Sequence, residues 1–193
     1  MKTTLPLVAL TLTLSTSLAH AEGFTCSVPK ADGSGRASIQ VNADENYVVV
    51  DGNRTAILGK VSTPIKGAAD YVAVAAACRK QFPSDGKAPG SMDQQLACSE
   101  KAMNAFVAVD APADLAKMAY LGLIFADLLD NSADDGSVPM EKSGLDISKV
   151  VSARGYQVGK ASQFGIPAIF EYYGANGLLG RELVITPYVV PCK

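Results

Sequence analysis

The apolar positions change period twice along the chain. Over residues 38–42, 47–50 and 55–61, β-branched and alternating apolar positions predict an antiparallel β-meander. Asp51-Gly52 between the last two runs is a hairpin cue, because both residue types tolerate positive φ. The period then lengthens to 3.6. Tyr71, Val74, Ala75, Cys78 and Phe82 predict a helix over about 66–82. A second helix is predicted over 92–109, with Ser91 as N-cap and Gln94 completing a capping box. The third begins after Asp110, carries Pro112 in its first turn and runs to about residue 130. Its Leu115, Met118, Leu121, Leu123, Ile124, Phe125, Leu128 and Leu129 surround most of the cylinder, as in a central buried helix.

A polar loop follows over 131–145, and Asp146 is placed to cap a short helix to about 153, with an extension to 160. The period then returns to two. Runs at 168–173 and 181–190 flank Gly174-Ala175-Asn176-Gly177, where Asn-Gly predicts a second hairpin and Pro187 an edge strand or bulge. The order β-β-β, α-α-α, short α, β-β predicts an α+β fold. The N-terminal antiparallel β-meander and the C-terminal β-hairpin are expected in one sheet, packed against a helical region of three to four helices.

The N-terminus changes the picture more than composition does. Lys2, an apolar stretch from Leu5 to Leu14, and Ala19-His20-Ala21 have the charge, hydrophobicity and small-x-small ending of a secretory signal. Cleavage after Ala21 is expected, giving a signal peptide over 1–21 and a single exported domain over 22–193, periplasmic or secreted. His20, the chain's one histidine, would leave with it. That excludes Ser-His-Asp and Cys-His catalysis and histidine-ligated metals from the remainder.

All four cysteines lie beyond the signal, and an even number in an exported chain argues for disulfides. Three pairings are possible. Cys78 on the apolar face of the first helix and Cys98 within the second suggest a staple across a helical hairpin. Cys26 with Cys192 would then clasp the chain ends. No C-x-x-C spacing supports zinc or redox chemistry. The charge is nearly balanced, with 17 Lys and Arg against 19 Asp and Glu, and no basic stripe suits nucleic acid. Apart from the signal, no uncharged apolar run reaches the roughly 18 residues of a membrane span.

These absences leave a non-catalytic exported protein: a binding module, inhibitor or envelope accessory whose partner is a protein or an envelope component, with no cofactor. Tyr172, Tyr173 and Asn176 at the C-terminal hairpin are the candidate contact surface, since aromatics beside a turn suit an interface. Two alternatives have named residues. Glu171 and Glu182, on facing strands, are the types a carboxylate-dependent glycan hydrolase pairs across a glycosidic bond. Asp130, Ser132, Asp134 and Glu141 stand at positions 1, 3, 5 and 12 of a calcium loop, although the glycine comes one place late.

Overall fold

The computed structural model describes residues 23–30, 33–83, 91–107, 114–131, 141–163, 165–185 and 188–192. The predicted signal segment, Ser132, Asp134 and Pro187 lie outside the described residues.

The α+β class holds, with the strands divided between two antiparallel sheets. The smaller contains β1 (Phe24–Pro29), β2 (Arg36–Asn42), β3 (Tyr47–Val50) and β4 (Asn53–Ala56), in that order. The larger contains β5 (Gly59–Pro64), β6 (Ser152–Gln157), β7 (Ala168–Gly174), β8 (Gly177–Ile185) and β9 (Tyr188–Pro191), also in chain order. The meander and the hairpin therefore do not share one sheet. The predicted strand over 55–61 breaks at Ile57-Leu58. Ile57 N–H bonds Asn46 O and ends the first ladder, whereas Leu58 N–H bonds Gln157 O and opens the second.

Three layers result. One face of the larger sheet packs on the smaller, burying Val28, Ile39, Val41 and Val48 with Tyr156, Ile169 and Leu183. The other face buries Phe170, Tyr172 and Val184 against Ala119, Tyr120, Leu123 and Ile124. Those last four belong to α3 (Asp114–Asn131), which touches β5 to β9 as a central helix should. Helices α1 (Ala68–Gln81) and α2 (Ser91–Val107) pack beside it. Among the described residues no helix is long and apolar enough to cross a membrane.

Both expected disulfides are present. Cys26–Cys192 joins β1 to the residue after β9, tying the two sheets together, and Cys78–Cys98 staples α1 to α2.

The helix expected from Asp146 is reduced to a single 3₁₀ turn, Ile147–Lys149. The Asp146 carboxylate accepts from the Ser148 hydroxyl and caps no backbone N–H. Residues 152–157 instead form β6, a central strand. Its small Ala153 and Gly155 face the helical layer because Phe170 needs the space: a Cβ on Gly155 would lie 2.3 Å from that ring. β1 was absent from the predicted strands, and the run at 181–190 divides between β8 and β9.

Candidate functional site

The two candidate glutamates sit on adjacent strands yet point to opposite faces of the larger sheet. Glu171 of β7 opposes Arg181, while Glu182 of β8 opposes Phe170. Directly opposed residues share a face, and successive residues alternate, so the two carboxylates are separated by the sheet. The cause lies at the hairpin. Gly174 pairs with Gly177 and Tyr173 with Leu178, but Tyr172 pairs with Gly180, leaving Leu179 as an extra residue on β8. That bulge moves every later β8 side chain to the other face. Without it, Glu182 would oppose Ile169 and share a face with Glu171.

Glu171, on the face toward the smaller sheet, is 4 % exposed and fully engaged. One oxygen accepts from Arg181 Nε at 2.8 Å, and the other accepts from the Tyr156 and Tyr173 hydroxyls, each at 3.0 Å. Burial first, and then the adjacent Glu171, push both phenols above their ordinary pKa, so they remain donors.

Glu182, on the helical face, is 1 % exposed and accepts from the Ser143 hydroxyl. Its second oxygen has no hydrogen-bond partner among the described residues. Burial pushes its carboxyl up to about 8; the Ser143 hydrogen bond opposes this and the nearby Asp130 charge adds to it. Ser143 is held in turn by Asp130, whose carboxylate accepts from the backbone N–H of Ser143 at 2.6 Å and of Gly144 at 2.9 Å.

Those bonds bear on the calcium alternative. Both Asp130 oxygens are occupied, and Glu141 instead accepts from Arg36 at 2.7 Å. Among the described residues no group of three His, Cys, Asp or Glu is placed to hold a metal ion. At the hairpin only part of the expected surface is open. Tyr172 is fully buried, donating to Ala119 O at 3.0 Å, and Tyr173 is half-buried against Glu171. Asn176 is exposed in the turn, near exposed Leu178 and Leu179.

A recess with cationic side chains lies apart from the residues singled out above. An open cleft of about 290 Å³ lies where the two sheets part, lined by Ala43, Asp44, Lys60, Val61, Ser62, Arg154 and Tyr156. Lys60 Nζ reaches the Ala43 carbonyl at one wall. Arg154 is exposed, with its guanidinium 5.2 Å from the centre of the Tyr173 ring. Although Arg154 opposes Glu171 across the ladder, the Glu171 oxygens are taken by Arg181 and the two tyrosines. Among the described residues Arg154 has no carboxylate partner within ion-pair distance. With Lys60 and Arg154 against the one carboxylate of Asp44, the cleft lining is net cationic and can receive an anion, oriented by a planar donor beside an aromatic ring. Only the β6 register brings these groups together, and the helix expected from Asp146, with its extension to 160, would overlie it. The chain matches no family model, no curated protein and no solved structure.

Proposed function

We propose that this chain is an exported binding protein that holds a protein or envelope component at the cleft between its two sheets, without converting it chemically. The observation that carries the reading is the exposed Arg154 guanidinium, beside Lys60 and Ser62, with its cross-strand carboxylate already engaged elsewhere. The two disulfides support an oxidising compartment, periplasmic or extracellular, as does the leader-like N-terminus. The opposite orientations of Glu171 and Glu182 weigh against the hydrolase reading, because a glycosidic bond needs both carboxyls on one side within about 5–9.5 Å. The engagement of Glu141 by Arg36 weighs against a calcium loop.

Capture on the immobilised, oxidised protein tests this. A component of the exported fraction retained by the wild type should be lost from a Lys60→Glu/Arg154→Glu variant that melts at the same temperature. Retention that is indifferent to both substitutions would remove the cleft from the account. Hydrolysis of peptidoglycan that disappears in Glu171→Gln or Glu182→Gln, with the fold intact, would replace binding by catalysis.

A further inference from the structure

We propose that β5 is an acceptor strand: an extended peptide segment bearing acidic side chains adds to its free edge as a sixth strand of the larger sheet. This rests on the binding reading above and gives the partner a chemistry and a geometry.

β5 ends the larger sheet and pairs only with β6. In line with that ladder, Ile65 N–H bonds Val151 O at 2.9 Å. Antiparallel ladders alternate, so Val61 and Thr63 turn their N–H and C=O groups toward β6, and Lys60 and Ser62 turn theirs outward. The outward groups of Lys60 and Ser62 have no backbone partner among the described residues. They have the spacing an added strand would engage.

Two of the three other sheet edges are blunted; the third, β4, leaves Arg54 and Ala56 turned outward, but neither lines the cleft that holds Lys60 and Arg154. On β9, Cys192 N–H bonds Arg181 O, so the outward positions are Val189 and Pro191, and proline has no N–H to offer. On β1, Lys30 N–H bonds Gly35 O, which turns Thr25, Ser27 and Pro29 outward; there Arg36 Nη2 already holds Ser27 O at 2.7 Å, and Pro29 again lacks a donor. β5 has its own proline only at Pro64, past the two open residues, where the carbonyl already accepts from the Tyr120 hydroxyl.

The side chains select the occupant. Lys60 and Ser62 project into the cleft beside Arg154. Alternate side chains of an incoming strand would enter the same cleft, and opposite charges across a strand pair favour acidic residues there. A second copy of β5 would bring its own Lys60 toward these cations, so like charge opposes self-pairing. Main-chain bonds then supply a common anchor, and the carboxylate contacts supply selectivity.

The test uses the oxidised full-length protein and three blocked hexapeptides, followed by amide NMR. One alternates Glu with Val, one alternates Lys with Val, and one is the Glu peptide N-methylated at alternate amides. The Glu peptide should bind and slow exchange of the Lys60 and Ser62 amides, with Kd at least tenfold lower than for either control. Lys60→Ala with Arg154→Ala should weaken it about tenfold, and Ser62→Pro, which removes an outward donor, should abolish binding. The N-methyl comparison needs no variant, so a Ser62→Pro protein that fails to fold leaves the test intact. Equal binding of the Glu peptide and its N-methylated form, or no perturbation at Lys60 and Ser62 at millimolar peptide, would overturn the proposal. In that event, capture that still depends on Lys60 and Arg154 would keep the binding reading and discard strand addition. Loss of both would discard the two together.

Discussion

On the side of the larger sheet that meets the smaller one, Glu171 accepts from a guanidinium and two phenols. On the helical side Glu182 has one serine hydroxyl, and its second oxygen is unpartnered. Both are almost wholly buried. At Glu182 burial penalises the charged form with one hydroxyl to oppose it, and the carboxyl is raised to about 8. A buried, perturbed carboxyl can suggest a reactive group. Here the two belong to separate interiors, and the open chemistry lies at the cleft. Each side also has its own covalent tie, Cys26–Cys192 toward the smaller sheet and Cys78–Cys98 among the helices.

Breaking those ties should produce the largest effects. Cys26–Cys192 spans 166 residues and Cys78–Cys98 spans 20. The chain-entropy relation then gives losses of about 5 and about 3 kcal/mol for Cys26→Ser/Cys192→Ser and Cys78→Ser/Cys98→Ser. Urea unfolding of the two double variants checks both the sizes and the order. Next in size is Glu171→Gln, which removes the charge that Arg181, 31 % exposed, is paired with. A fully buried pair broken this way costs about 3–5 kcal/mol, and access to water at Arg181 brings the expectation to about 2 kcal/mol at pH 7.

The smallest effect changes sign with pH and sharpens the contrast. The Glu182 carboxyl is raised to about 8, against an ordinary value of 4.5. Its contribution to stability is fully present below pH 4.5 and is lost as pH rises toward 8, where the unfolded chain releases its proton and the folded chain retains it. Glu182→Gln removes that loss. The variant should fall about 2 kcal/mol below the wild type at pH 4.5, the cost of its unpaired amide donors, and exceed it by about 1–2 kcal/mol at pH 8. Thermal melts at those two pH values read the difference. An unchanged gap between wild type and variant across the range would show Glu182 to be ionised in the fold.

Much of the architecture was legible because it depends on local signals. Helices α1 to α3 begin and end within about three residues of the 3.6-residue periodicity; Asp51-Gly52 forms the first hairpin turn, and the second falls at Ala175-Asn176, one residue ahead of Asn-Gly. The disulfide pairs followed from Cys78 and Cys98 on successive helices and from the remaining ends. The failures are failures of register. Residues 152–157 show no apolar alternation, since Ala153 and Gly155 are small to admit Phe170 and its neighbours. The separation of Glu171 from Glu182 depends on the one extra residue at Leu179, and no local signal in Gly174–Gly177 or the flanking leucines specifies it. The cleft was hidden for the same reason, because Lys60 and Arg154 are 94 positions apart until β5 and β6 pair.

The central claim is that Glu182 is an interior, proton-bearing group and not one half of a catalytic pair. Carbon-13 NMR titration of the glutamate side chains in the oxidised protein measures this directly. One carboxyl, lost in Glu182→Gln, should remain protonated at pH 6 and titrate near pH 8. Titration of every glutamate in the ordinary range near 4.5 would contradict it.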